Sequence, residues 1–244
     1  MRKGLYVSFT VKSVISFVSA VAFGVILVVS IGAFGSKVSV SSDSISESKP
    51  LIIIDAGHGG EDGGTQSSTG VLEKDINLSI ALKLSHIMSS LGYDTLLIRN
   101  EDTLIYSDNC NSQREKKVSD IHNRMKVIEE NPDSIFLSIH QNHYSQSKYS
   151  GAQVFYSPDN EKSMLIAESI QKSIVNLLQN ENERKIKKSG KEIYLLYHAK
   201  SPAIMVECGF MSNPGEALLL NDEEYQKKMA LAIVAGVCEY IKGE

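Results

Sequence analysis

Cysteine is scarce in this 244-residue chain: Cys110, Cys208 and Cys238 are odd in number and show no C-x-x-C spacing. That pattern argues against a zinc ribbon and against a disulfide-stapled scaffold. Cys208 and Cys238 stand in apolar surroundings and read as small buried hydrophobes. Basic clusters are scarce as well. Arg184, Lys185, Lys187 and Lys188 form the single run, which reads as a solvated loop, and from Pro50 onward 20 basic residues face 27 acidic ones. A balance of that sign gives no footprint for nucleic acid. No internal repeat is present, and the length suffices for one well-buried domain plus an appendage.

The appendage is N-terminal. Arg2, Lys3 and Lys12 precede 24 uncharged residues, Ser13 to Ser36, which include Val25-Ile26-Leu27-Val28-Val29. Roughly 20 apolar residues span a bilayer, and the leading positive charges place residues 1–12 in the cytoplasm and the remainder outside. A transmembrane anchor over 13–36 is therefore expected. A cleavable signal with Ala33-Phe34-Gly35 before the cut is the alternative, which would release the rest as a secreted protein. Residues 37–49, rich in serine, read as a flexible tether. The globular domain is expected over 50–244.

Within it, apolar runs alternate with helical periodicity. Strands are expected at Leu51 to Ile54, Tyr93 to Ile98, Ile135 to Ile139, Gly151 to Tyr156, Ile193 to Leu196 and Ala203 to Val206. Helices are expected at Glu73 to Leu91, Ser119 to Glu130, Asp159 to Leu178, Pro214 to Leu220 and Asp222 to Ile241. Such alternation predicts an α/β fold, a three-layer domain with a twisted, mostly parallel central sheet flanked by helices.

Three of the runs break into polar residues at their C-terminal ends. Leu51 to Ile54 opens into a loop with five glycines in the eight positions from Gly57, and this loop presents His58. Ser134 to Ile139 runs into His140-Gln141-Asn142, and Ala203 to Val206 runs into Glu207-Cys208-Gly209. Strand carboxyl ends are where open α/β sheets bind ligands. Two histidines and a carboxylate make an established catalytic zinc set, with a fourth position left for water. His58 and His140 supply the nitrogens. The carboxylate is Glu61, Asp62 or Glu73: the first two share the tight loop with His58, whereas Glu73 opens a helix, where capping alone could explain it.

Ile54-Asp55-Ala56-Gly57-His58-Gly59-Gly60, Glu73-Lys74-Asp75-Ile76-Asn77-Leu78, Ser138-Ile139-His140-Gln141-Asn142 and Val206-Glu207-Cys208-Gly209-Phe210-Met211-Ser212-Asn213 occur in that order. Together they resemble the zinc-dependent N-acetylmuramoyl-L-alanine amidases, over about residues 51–243. The resemblance implies one Zn2+ ion on His58, Glu73 and His140, with Glu207 as the catalytic glutamate. It also implies peptidoglycan muropeptide stems as substrate. Arg114 through Arg124 and Glu192 to Leu196 further resemble the sporulation-specific, CwlD-type branch, which implies action on spore cortex in muramic-δ-lactam formation and germination. The sequence departs from the family at Ala56, often proline there, and at Gln141, which puts the wall beside His140 in question.

Asn142 and Arg114 are candidate substrate contacts. His86, His122 and His198 read as structural or exposed, His143 as a weaker candidate for reaching substrate, and Tyr144, Tyr149 and Tyr156 as core or groove residues. Ser46-x-x-Lys49, Ser107-Asp108-Asn109 and Lys188-Ser189-Gly190 imitate the motifs of penicillin-interacting serine enzymes. Ser46, however, lies in the tether rather than at the start of a buried helix. The remaining alternatives are a catalytically weak peptidoglycan-binding or recruitment module and another zinc peptidase of cell-wall peptides. No wall-binding repeat is present, so placement is expected to rely on the membrane anchor or on an accessory protein at the spore envelope.

Overall fold

The apolar runs become strands of one sheet. In the computed structural model, which describes residues 49–243, β1 is Ile52–Ala56, β2 Thr95–Leu97, β3 Ile135–Asn142, β4 Gln153–Tyr156, β5 Lys187–Lys188 and β6 Ala203–Phe210. The helices are α1 Glu73–Ser90, α2 Gln113–Glu129, α3 Glu161–Leu177, α4 Tyr194–His198, α5 Pro214–Leu220 and α6 Glu223–Gly243. The sheet order is β2-β1-β3-β6-β4-β5. All neighbours are parallel except the antiparallel β4–β6 pair, so the sheet is mixed but mostly parallel, as expected.

Strands buried on both faces need continuous apolar sequence, and β1, β3 and β6 have it. Ile52, Ile54, Leu137, Ile139, Ile204 and Val206 face the larger core, against Ile80 and Leu84 of α1, Ile170 and Ile174 of α3, and Ile233 of α6. Ile53, Phe136, Ala203 and Met205 alternate to the other side, against Met125 and Ile128 of α2 and Leu195 and Leu196 of α4. Each fully buried side chain of this size contributes about 1.5–3 kcal/mol of hydrophobic stabilisation.

Several boundaries differ from expectation for identifiable reasons. The strand expected at Ile193 to Leu196 is helix α4. A strand would turn the consecutive Leu195 and Leu196 to opposite faces, whereas one helical turn buries both in the same cluster. Helix α2 starts six residues before Ser119 because Ser112 and Glu115 form a reciprocal capping box. The basic run is not all loop: Lys187 and Lys188 form the edge strand β5 beside Phe155 and Tyr156. Of the cysteines, Cys208 is buried but Cys238 only half so, and all three are free. The expected anchor and all of the tether but Lys49 lie outside the described residues. Among the described residues, no helix is long and apolar enough to cross a membrane.

Candidate active site

β1 and β3 run parallel side by side, with Ala56 beside Ile139, and β3 and β6 run parallel with His140 directly beside Glu207. The chain thus delivers His58, His140 and Glu207 to one end of three adjacent strands. The register shifts after the His140–Glu207 pair, where Asn142 sits beside Phe210: β6 carries one residue more than β3 there, a bulge directly after Glu207, the kind of irregularity that re-aims a side chain beside a site.

The His58 loop leaves β1 in a conformation few residues adopt. His58 has φ +62°, a left-handed backbone that costs a non-glycine residue free energy and is kept where the surroundings impose it. Two glycines make room for the side chains of His140 and Glu73. A Cβ on Gly57 would overlap the His140 ring, and one on Gly64, itself at φ +66°, would lie 2.6 Å from Glu73 Oε2.

Glu73 joins the two rings. Its Oε2 lies 3.3 Å from His58 Nε2 and its Oε1 3.0 Å from His140 Nδ1. His58, Glu73 and His140 each offer an atom that could ligate a metal ion, and these atoms all fall within 4.8 Å of one another. The carboxylate is held from behind by the Thr65 N–H (2.9 Å), the Gln141 N–H (3.0 Å) and the Asn77 amide (3.3 Å). Burial would raise its pKa, but hydrogen bonds and charge from His140 and His58 hold it well below the carboxylate range.

The rival carboxylates do other things. Glu61 points outward to Lys116 Nζ at 2.6 Å. Asp62 reaches the opposite nitrogen of His58, Nδ1, at 3.0 Å, and pairs with Lys117 Nζ at 2.7 Å. Asp62 therefore orients the imidazole and leaves Nε2 toward Glu73, the behaviour of a residue supporting a metal-binding histidine. Although burial opposes a charged ring, the hydrogen bonds to Asp62 and Glu73 raise His58 to about 9.

Glu207 stands apart from this bonded cluster. Its Oε2 is shielded from solvent and has no hydrogen-bond partner among the described residues. Burial pushes its carboxyl up to about 7; the charge of Glu73 adds to the rise, while His140 and His58 oppose it. A carboxylate tuned to near neutrality beside potential metal ligands is suited to accept and return a proton.

These groups line a cleft of about 380 Å³ whose other walls include Lys117, Ile121, Glu192, Ile193 and Tyr194. None of the five was singled out as a site residue from sequence, although all fall in the two stretches that resemble the sporulation branch. Asn142 ends β3, where its carbonyl accepts from the Met211 N–H, and Arg114, in the first turn of α2, lines a separate cavity with Cys110 and His122. Neither lines the cleft. Gln141 turns its side chain to Asn77 Oδ1 (3.1 Å), on the α1 side of the sheet, so it forms no part of the cleft wall. His86, His122, His143 and His198 are exposed and lie outside the trio. The serine-enzyme imitation does not assemble among the described residues: Ser107 bonds to α2 through Ser119 and Asn123, whereas Lys188 lies in the far edge strand.

Residues 52–239 match the family described as N-acetylmuramoyl-L-alanine amidase. The germination-specific N-acetylmuramoyl-L-alanine amidase of Bacillus subtilis (strain 168) is 32% identical over 197 residues, which cover 81% of this chain and 82% of that protein. Among solved structures, the CwlD amidase from Clostridioides difficile, in complex with the GerS lipoprotein, is similar with a TM-score of 0.77 at 39% identity, covering 80% of this chain and 100% of that one. The amidase AmiC2 of Nostoc punctiforme gives a TM-score of 0.68 at 28% identity over 79% of this chain and 97% of its own. With its whole sheet, all but the end of its last helix and its cleft inside the matched span, the chain belongs to the N-acetylmuramoyl-L-alanine amidase family and is a peptidoglycan amide hydrolase.

Proposed function

We propose that this chain uses one zinc ion, held by His58, Glu73 and His140, to cleave the amide between the lactyl group of N-acetylmuramic acid and L-alanine in spore cortex peptidoglycan. The observation that carries the chemistry is Glu207, in register with His140 and with its Oε2 shielded and without a hydrogen-bond partner among the described residues. The trio suits a divalent ion: two ring nitrogens converge on one carboxylate, a donor set that in catalytic zinc sites leaves a position open. An ion bound there supplies Lewis-acid polarisation of the scissile carbonyl.

The protein's own groups do the rest. Asp62 fixes the His58 tautomer, and the Thr65, Gln141 and Asn77 donors keep the Glu73 carboxylate facing both rings. Glu207 accepts a proton from the attacking water and passes it to the departing amine of L-alanine. Water is consumed: its oxygen joins the lactyl carbonyl carbon, the C–N bond breaks, and the amine leaves protonated. Lys117, Glu192 and Tyr194 form walls against which glycan and stem lie.

The cortex assignment draws on the sequence stretches resembling the sporulation branch and on the germination-specific relative. The GerS lipoprotein bound to the similar CwlD supports an accessory envelope partner here as well. The apolar 13–36 segment supports a membrane-anchored domain working outside the cytoplasm, or a secreted one if that segment is cut.

Glu207→Gln tests the assignment. The detergent-solubilised full chain carrying it should retain zinc yet release new L-alanine amino termini from peptidoglycan at least 100-fold more slowly, in keeping with a general acid–base contribution of about 10²–10⁴. Turnover at the wild-type rate would remove Glu207 from the mechanism.

A further inference from the structure

Arg99 follows β2 and is almost completely buried, at 3% exposure. A buried cation is costly unless its donors are satisfied. Among the described residues, none of its hydrogen bonds reaches a carboxylate; all go to backbone carbonyls. Nε donates to Ala56 O at 2.8 Å, Nη1 to Glu101 O at 3.0 Å, and Nη2 to both Gly57 O at 3.0 Å and Lys74 O at 2.9 Å.

Three of the four acceptors are Ala56 and Gly57, which lead into the left-handed His58, and Lys74, directly after Glu73; the fourth, Glu101, belongs to the segment of Arg99 itself. One rigid guanidinium therefore ties together two of the three segments that carry the trio. The segment it anchors reinforces the arrangement: Asp102 accepts from the Gly60 N–H at 2.7 Å and from Lys74 Nζ at 2.6 Å, while Lys74 Nζ also donates to Gly60 O at 2.8 Å. A Cβ on Gly59 would strike Thr103 O and come within 3.2 Å of Arg99 Cδ, so the loop is seated directly on this segment.

We infer that Arg99 is a positioning residue that sets zinc affinity by clamping the His58 loop to the start of α1. The inference rests on the metal reading of the trio. Lysine keeps the charge but lacks the planar fork that serves several carbonyls at once. Supports behind metal ligands typically account for 10–100-fold in affinity.

The test is a competition titration of zinc against a colour-forming chelator, on the full chain, with wild type, Arg99→Lys and Arg99→Gln, together with denaturant unfolding of each metal-free form. The expected result is a zinc Kd raised tenfold or more in Arg99→Lys, while the metal-free variant still unfolds cooperatively. A Kd within twofold of wild type overturns the inference, whatever the unfolding midpoint. Arg99→Gln is read in the same way if the lysine variant does not fold. Loss of cooperative unfolding in both also overturns it, since the arginine would then hold the fold rather than the loop. A wild-type chain that binds no zinc would sink the metal reading itself.

Discussion

Asp55 shows how much a single buried charge carries in this molecule. It is 1% exposed at the end of β1, paired with Arg124 Nη1 and accepting from Ser138 Oγ at 2.7 Å. Arg124 in turn donates to His58 O at 2.9 Å, so the pair is tied directly to the His58 loop. Burial alone would raise the Asp55 pKa, but the Arg124 charge and the Ser138 hydroxyl hold it below its ordinary 3.8. A depressed folded-state value contributes stability that is present above the unfolded pKa and lost as pH falls through the folded one. Asp55→Asn should therefore cost about 3–5 kcal/mol at pH 7, the penalty of orphaning a buried partner. The gap from wild type should narrow as pH drops below 3.8, the unfolded reference. Urea unfolding at pH 7 and pH 3 measures both; a gap independent of pH would contradict the account. At this scale the sequence was informative where polar residues interrupt apolar runs, as at His58, His140 and Glu207. It could not separate Glu73 from Glu61 and Asp62 by chemistry, because which carboxylate meets Nε2 depends on how the glycine loop turns. Arg99 gives no signal, since its partners are backbone carbonyls and those that tie it to the trio, on Ala56, Gly57 and Lys74, are distant in sequence.

Among the elements, α3 and α6 pack unusually close. A Cβ on Gly236 would sit 2.5 Å from Ile170 Cα, and Ser169 Oγ and Ser173 Oγ donate across to the carbonyls of Gly236 and Ala232 at 2.8 and 2.7 Å. The clashing atom is backbone, so one helix must move. Gly236→Ala should lower stability by about 1–3 kcal/mol, the usual cost of overpacking, despite alanine's better helix propensity. An unchanged or higher thermal midpoint would show that the helices can part freely. Most elements were legible because parallel strands need unbroken apolar runs and surface helices need a 3.6-residue period. The exceptions are short: Ile193 to Leu196, within which α4 begins, reads as a strand because four apolar-rich residues are too few for the period to decide. β5 is not legible because an edge strand of two lysines carries no apolar pattern.

For the molecule as a whole, topology does what local sequence cannot. His58, His140 and Glu207 stand far apart in the chain, yet the order β1-β3-β6 makes their strands adjacent and parallel. Strand-end placement was visible in sequence; adjacency was not, because crossovers decide it. The walls of the cleft, from α2 and the segment around α4, were hidden for the same reason. The central claim is that this assembly is a metal-dependent amide hydrolase, and one measurement addresses it most directly. Release of new L-alanine amino termini from purified peptidoglycan is followed with the full chain as prepared, after chelation, and after return of one equivalent of zinc. The account predicts activity, loss of activity and recovery, in that order; undiminished release by the metal-stripped chain would contradict it.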